Sequence, residues 1–319
     1  MNGLLDVRVA AVRQLTPLVR EFTFEAEGGA LPGFSAGSHV VVHMPAAGRT
    51  LRNAYSLLGD PADAQRYRIA VRLQEDSRGG SRFMHEQVAA GDRLQLSPPA
   101  NLFGLNSQAH HHLLIAGGIG ITPFLAQIAE LERRGASFEL HYACRGGLTD
   151  AYRDELATRL GARFHAYDAS AGERLELTAL LRHQPLATHA YVCGPQRLID
   201  GVREAAQGLR WPQGRVHWEA FAGAAPGAGA PAEPFVADLA GSGRRLEVAA
   251  DLSLLEALEQ AGVAVPSLCR GGVCGQCATR YLRGAVEHRD SFLAEAERAD
   301  QLMPCVSRGC AGSTLVLDL

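Results

Sequence analysis

From Val7 to about Pro99 apolar and polar residues alternate in short runs: V-R-V-A-A-V, F-T-F-E-A, H-V-V-V-H-M, R-Y-R-I-A-V-R-L and D-R-L-Q-L. A period of two, broken by glycine and proline, predicts antiparallel strands forming a barrel or sandwich. From His112 onward the pattern changes. L-L-I-A is followed by I-T-P-F-L-A-Q-I-A-E-L-E, and F-E-L-H-Y-A by A-Y-R-D-E-L-A-T-R-L; then come R-F-H-A-Y-D, Y-V-C-G-P and P-Q-R-L-I-D-G-V-R-E-A-A. Apolar strands alternating with helical periods predict a parallel sheet wound with helices. Near the C-terminus F-V-A-D-L and R-R-L-E-V read as a hairpin, and D-L-S-L-L-E-A-L-E-Q-A-G as a helix. Ser253 and Glu256 form an S-x-x-E capping box at its start, and Gly262 is placed to end it. The expectation there is a small β-rich fold with one helix packed over its sheet.

Between the second and third patterns lies Ala222 to Pro234, made only of alanine, glycine, proline and one glutamate. Such a stretch cannot build a core and reads as a linker. As a flexible chain it spans about 20 Å root mean square. A length of 319 residues agrees with two to three domains. A net charge of −3 gives no reason to expect nucleic acid or an anionic membrane as partner. The N-terminal M-N-G-L-L-D-V-R-V-A lacks a cationic segment before an apolar run, and no apolar run approaches a membrane span. The expected address is the cytoplasm.

The strongest chemical signal is C-R-G-G-V-C-G-Q-C, followed much later by M-P-C. Cys269, Cys274, Cys277 and Cys305 thus stand in the C-x4-C-x2-C…C spacing of a plant-type 2Fe-2S cluster. Four thiolates must converge on two irons, so one tight loop supplies three and a distant segment the fourth. Gly271, Gly272 and Gly275 let that loop bring its amides close to the sulfurs, at positive φ. A structural zinc site usually pairs two C-x2-C half-knuckles, and this chain has one. Of seven cysteines the remainder is Cys144, Cys193 and Cys310, an odd number that suits a reducing compartment rather than a disulfide set.

Four further motifs accompany it. A-G-G-I-G-I-T-P, Ala116 to Pro123, joins a buried strand to a helix, where glycines admit a pyrophosphate to free amides. Taken alone it reads equally as a tight turn. A later strand ends in Cys193, Gly194 and Pro195, at the same carboxyl edge where open α/β sheets bind ligands. Cys193 also fits a buried apolar thiol. R-N-A-Y-S-L, Arg52 to Leu57, offers a ring to stack and a hydroxyl to bond, and S-R-G-G-S, Ser77 to Ser81, offers an anion nest, although each taken singly reads as ordinary strand and turn.

R-x-x-Y-S-L, G-G-S, G-G-I-G-I-T-P, C-G-P, E-A-F and the C-terminal cluster loop, in that order, resemble the phthalate dioxygenase reductase family over essentially the whole chain. The resemblance implies a multidomain protein: an antiparallel β-barrel flavin domain at 1–104, an α/β parallel-sheet nucleotide domain at 105–221, the linker at 222–234 and a β-grasp plant-type ferredoxin domain at 235–319. It implies that Tyr55 and Ser56 contact FMN, with Arg52 nearby, and that Gly79, Gly80 and Ser81 hold its phosphate. Gly117, Gly118, Gly120, Thr122 and Pro123, with Cys193, Gly194 and Pro195, would receive NADH or NADPH. Phe221 of E-A-F would cover the flavin ring, so that Ser56, Cys193 and Phe221 flank the hydride transfer. One departure is visible: the family shows R-x-Y-S, whereas here Asn53 holds the arginine position and Arg52 lies one residue further away.

The expected function is a flavin iron-sulfur reductase. The nucleotide gives a hydride to FMN, which releases single electrons through the cluster to a Rieske-type aromatic oxygenase or demethylase. A cytochrome P450 acceptor and a non-enzymatic redox sensor are the alternatives, and the expected state is a monomer. Arg145 is a candidate for a 2′-phosphate or a solvated loop residue. His110, His111 and His112 read as a solvated strand entry rather than a metal site, Cys310 as a packed free thiol, and Glu173 and Glu176 as a solvated face.

Overall fold

The alternation in the first hundred residues becomes seven antiparallel strands: β1 (Leu5–Thr16), β2 (Val19–Ala26), β3 (Ser38–Ala46), β4 (Arg49–Ser56), β5 (Arg66–Arg72), β6 (Arg93–Leu96) and β7 (Ala100–Asn101). In this computed structural model, which describes residues 3–46, 49–63, 65–74, 79–221 and 233–319, they lie in the order β4-β3-β6-β1-β2-β5, with β7 beside β3. Just after β4, Leu58 donates its amide to the Arg68 carbonyl on β5 at 2.9 Å, which joins the two ends of the sheet into a barrel. Val7, Val9, Phe22, Phe24, Val40 and Val42 point into its core. After β5 comes a helix, α1 (Gly80–Glu86), where the sequence reading expected only a turn. Seven residues are too few to display a helical period, and it is Phe83 and Met84 turning into the barrel core that hold it.

The second pattern forms five parallel strands: β8 (His111–Gly117), β9 (Ser137–Cys144), β10 (Phe164–Asp168), β11 (Thr188–Cys193) and β12 (Val216–Glu219). Between them run α2 (Thr122–Arg133), α3 (Arg153–Leu160), α4 (Leu177–Arg182) and α5 (Gln196–Gly208); the six-residue α4 had no sequence signal. The order β10-β9-β8-β11-β12 means that the chain steps outward to β10, then returns to the other side of β8. β8 and β11 are parallel, but the chain builds the sheet outward in opposite directions from them, and this switch opens a crevice at their carboxyl ends. One expectation is corrected here. His110 is exposed and His111 half-buried, but His112 is buried and stacks on Tyr191 with ring centroids 5.9 Å apart, because β8 is central in the sheet.

Barrel and parallel sheet belong to one compact unit, Met1–Ala220. The Tyr152 hydroxyl donates to Glu21 Oε2 on β2 at 2.7 Å, and the Thr16 hydroxyl to the Leu148 carbonyl at 2.8 Å. Phe103 packs edge-on against Phe124 and Tyr191.

The second unit, Phe221–Leu319, contains β13 (Phe235–Leu239), β14 (Arg244–Val248), α6 (Leu254–Gln260), β15 (Thr279–Arg283), β16 (Val286–Glu287), β17 (Gln301–Leu302), β18 (Arg308–Gly309) and β19 (Thr314–Leu317). The expected hairpin is β13 with β14, and β13 pairs parallel with β19 in a mixed sheet ordered β14-β13-β19-β15-β17. Leu254, Ala257 and Leu258 of α6 bury against Ala237, Leu315 and Leu317, giving the β-grasp arrangement. Residues 222–232 of the expected linker lie outside the described residues. Among the described residues no helix is long and apolar enough to cross a membrane.

The capping box is formed in full: Ser253 Oγ accepts from Glu256 N at 3.2 Å, and Glu256 Oε2 accepts from Ser253 N at 2.8 Å. Gly262, at φ +73°, ends the helix as expected. Replacing Ser253 by alanine should cost ~1 kcal/mol of stability in this unit. The check is the denaturant midpoint for loss of cluster absorbance, which should fall; an unmoved midpoint would show that the cap does not hold α6.

Candidate functional site

The cluster loop is built by backbone shape before chemistry. Cys277 and Cys305 place their Sγ atoms 3.3 Å apart, and the Gly271 amide donates to Cys269 Sγ at 3.4 Å. Cys269, Cys277 and Cys305 are buried, Cys274 is half-buried, and all four are free thiols. Within each pair one sulfur is held toward thiolate and its mate keeps the proton. Cys274 is lowered to about 6 by the hydrogen bond from Cys269 and then by backbone amides, and Cys277 is lowered by Cys305. Cys269 and Cys305 are pushed up by the same hydrogen bonds and by burial. A convergent set of four sulfurs ringed by amides fits a 2Fe-2S cluster.

Two of the three loop glycines have the expected left-handed backbone. A Cβ on Gly272 (φ +73°) would stand 2.6 Å from Val306 Cγ2, and one on Gly275 (φ +76°) would enter the Phe292 ring. Gly271 does not; Arg270 takes the left-handed conformation instead, at φ +52°. Its guanidinium is clasped by both carboxylate oxygens of Glu259 on α6, each at 2.7 Å. That charge-assisted pair offsets a backbone cost of about 1–3 kcal/mol. Cys310 is half-buried with its amide on the Ala285 carbonyl at 2.9 Å, in a different loop.

At the end of β4 two buried polar atoms have no hydrogen-bond partner, Ser56 Oγ and, directly across on β3, His39 Nε2, and the Tyr55 hydroxyl is buried with Asn53 beside it. Burial pushes the Tyr55 phenol up and the His39 imidazole down to about 4, so both are neutral. Unsatisfied polar atoms at one strand end are what a bound polar ring system would satisfy. The nest beside them is shaped by Gly79 (φ +107°), and Ser81 Oγ accepts from Gln74 N at 3.1 Å. Ser77 and Arg78 lie outside the described residues. Alternation along β4 puts Arg52 and Asn53 on opposite faces. Asn53 packs on Gly80, where a Cβ would meet its side-chain amide at 2.6 Å; Arg52 pairs in register with His43, its Nε 3.5 Å from His43 Nδ1. It is Asn53 and Tyr55 that share the face nearer the nest.

In the parallel sheet, Gly117, Gly118 and Gly120 leave β8 while Cys193, Gly194 and Pro195 leave β11, and the two ends touch backbone to backbone. A Cβ on Gly117 would stand 2.8 Å from Pro195 Cδ, one on Gly194 2.9 Å from Gly117 Cα, and one on Gly120 2.5 Å from the Cys193 carbonyl carbon. Thr122 donates its hydroxyl to the Ile119 carbonyl at 3.0 Å, and Pro123 stands in the first turn of α2. Cys193 is fully buried and burial drives its thiol up, so it is a neutral, apolar wall. Phe221, half-buried, follows β12 as the first residue of the second unit, and Arg145 is exposed.

One residue of this site escaped sequence reasoning. Glu219, the acid of E-A-F, pairs in register with Cys193, and burial raises its carboxyl to about 8. Its Oε2 is buried without a partner. The motif was visible, but nothing in sequence distinguishes a buried carboxyl from a solvated one.

A family model for the 2Fe-2S iron-sulfur cluster binding domain matches residues 237–310, and one for the N-terminal domain of dimethylamine monooxygenase subunit DmmA-like proteins matches residues 93–216. The heme-dependent oxidative N-demethylase beta subunit of Ectopseudomonas mendocina (strain ymp) is 62% identical over the full length of both chains. The carnitine monooxygenase reductase subunit of Escherichia coli (strain K12) is 45% identical, covering 99% of this chain and 98% of its own. The solved structure of phthalate dioxygenase reductase, described as modular for electron transfer from pyridine nucleotides to 2Fe-2S, matches with a TM-score of 0.91 at 35% identity, over 99% of this chain and 98% of that one.

Glu219 generates a pH prediction whose sign is set by burial. Between about 4.5 and about 8 the folded carboxyl keeps a proton that the unfolded chain has lost, so stability falls as pH rises through that window. Glu219→Gln should flatten the decline and gain on the wild type toward pH 8, measured as unfolding midpoints across pH. Parallel curves for the two proteins would show that Glu219 is ionised in the fold.

Proposed function

Since the chain belongs to the phthalate dioxygenase reductase family, we propose that it feeds electrons to a heme-dependent monooxygenase that removes N-methyl groups. The chain is an oxidoreductase with FMN, NADH and a 2Fe-2S cluster as its cofactors, and it serves an oxygenase system. When bound, the flavin converts the two-electron chemistry of the nucleotide into the one-electron chemistry of the cluster. In this reading residues 1–104 hold FMN, 105–221 the nucleotide, 222–234 the connection and 235–319 the cluster.

The residues divide the work as follows. Tyr55 and Ser56 give their hydroxyls to the flavin, and Gly79, Gly80 and Ser81 cradle its phosphate with Asn53 alongside; Arg52 faces His43 and stands outside this set. Gly117, Gly118 and Gly120 admit the nucleotide backbone-close beside Gly194 and Pro195, with Thr122 and Pro123 opening α2 beneath it. Cys193 and neutral Glu219 line the nicotinamide end without introducing charge, and Phe221 covers the ring. Cys269, Cys274, Cys277 and Cys305 hold the irons.

The observation that carries the choice of acceptor is the 62% identity, over both whole chains, to the beta subunit of a heme-dependent N-demethylase. The carnitine monooxygenase reductase subunit at 45% supports a monooxygenase as the acceptor. A Rieske-type aromatic oxygenase is the second reading, favoured by the likeness to phthalate dioxygenase reductase at 35%. The reductase acts as a monomer in either case.

Mixed with a heme-dependent amine demethylase and NADH, the protein should reduce the heme at a rate that saturates with demethylase concentration. Rapid reduction of a Rieske oxygenase instead, with the heme protein untouched, would overturn the choice. Anaerobic titration with NADH and NADPH separately reads the nucleotide preference. Cys274→Ser should abolish the ordinary cluster spectrum and heme reduction while NADH still bleaches the flavin, whereas Cys310→Ser should change neither; loss of the cluster in the second variant would reassign the ligands.

A further inference from the structure

Three side chains far from the cluster converge on one face of the parallel sheet. Glu139 and His141 stand two residues apart on β9, hence on the same face, and His165 on the edge strand β10 pairs in register with His141. One carboxylate oxygen and one ring nitrogen from each histidine lie within 4.8 Å of one another. His141 Nε2 is 3.4 Å from Glu139 Oε1, and His165 Nε2 is 4.0 Å from Glu139 Oε2. We propose that Glu139, His141 and His165 bind one divalent transition-metal ion of the zinc class, at a site separate from the iron-sulfur cluster.

The donor set is two imidazoles and a carboxylate, the borderline nitrogen and oxygen ligands that Zn2+ accepts with a fourth position left for water. His141 is 5% exposed, and its buried Nε2 has no well-aligned hydrogen bond, only the Glu139 carboxylate 3.4 Å away. A buried ring nitrogen and a carboxylate oxygen facing each other without a well-made bond suit an ion between them. The ligands are also oriented from behind, as metal ligands need to be. His141 Nδ1 lies 2.9 Å from the Tyr167 hydroxyl, which fixes the ring so that Nε2 faces Glu139. Gln184 Nε2 donates to Glu139 Oε1 at 2.7 Å.

Packing of rings alone does not account for the cluster. His189 and His217 also stack, at 5.2 Å, but there Nδ1 and Nε2 meet each other at 2.9 Å and no carboxylate joins them. His141 and His165 stack at 4.6 Å with both Nε2 atoms turned to the same acid. The 4.8 Å spread is wider than a filled tetrahedron, and His165, exposed on the edge strand, is the side chain that can swing in. The site lies three residues short of Cys144 and Asp168, about 10 Å below the carboxyl edge. An ion there would tie β9 to β10 without occupying the nucleotide crevice.

The test uses the holoprotein, with FMN and cluster in place so that the cluster thiols are occupied. Calorimetric titration with Zn2+ should show one equivalent bound, and the ion should raise the unfolding temperature of the holoprotein. His165→Ala and Glu139→Gln should each weaken binding by about tenfold or more, and Tyr167→Phe by about tenfold, with flavin and cluster spectra unchanged. NADH should reduce the flavin at the same rate with and without one equivalent of Zn2+. Failure of the holoprotein to bind zinc, or wild-type affinity in His165→Ala and Glu139→Gln, would overturn the proposal. Should one of these two variants fail to fold, the other decides.

Discussion

One buried hydrogen bond governs how the first two hundred residues work: the Tyr152 hydroxyl on Glu21. A tyrosine from the loop ahead of α3 reaches into the second strand of the barrel, and the acid it meets is 7% exposed at its side chain and also bonded by Arg13 at 3.2 Å. Tyr152 itself stands at φ +67°, a conformation that a bulky residue adopts only when its surroundings hold it there. Ring-to-ring transfer tolerates little play between a flavin and a nicotinamide, so a barrel and a sheet that each hold one of them must be locked together. The lock is polar and buried, which makes it specific to one orientation where an apolar seam would permit several.

The second constraint is the absence of side chains. The loops leaving β8 and β11 meet through Gly117, Gly120 and Gly194, at separations no Cβ survives. The strand order turns back between these two parallel strands and opens the crevice, and glycine lets the backbone itself form its floor. Cys193 and Glu219 then close the wall with groups that burial keeps neutral.

Much of this was legible in the chain. Period-two runs marked the barrel strands, the strand-helix rhythm marked the parallel sheet, and cysteine spacing marked the cage because a cluster dictates spacing directly. What stayed hidden depended on neighbours distant in sequence. Arg270, rather than Gly271, takes the left-handed turn because Glu259, eleven residues earlier, clasps it. His112 is buried because strands flank β8 on both sides. Asn53 rather than Arg52 faces Gly80 because the register of β4 on β3 decides which side chain turns which way. The short helices α1 and α4 carry too few residues for a period, and packing alone makes them.

The cluster loop takes its shape from Gly272 against Val306, Gly275 against Phe292 and Arg270 against Glu259, and none of these contacts involves a sulfur. Shape and ligation are thus carried by different residues: a substitution at a cysteine removes a ligand and leaves these contacts in place, whereas one at Val306 or Phe292 disturbs the mould and leaves every ligand present.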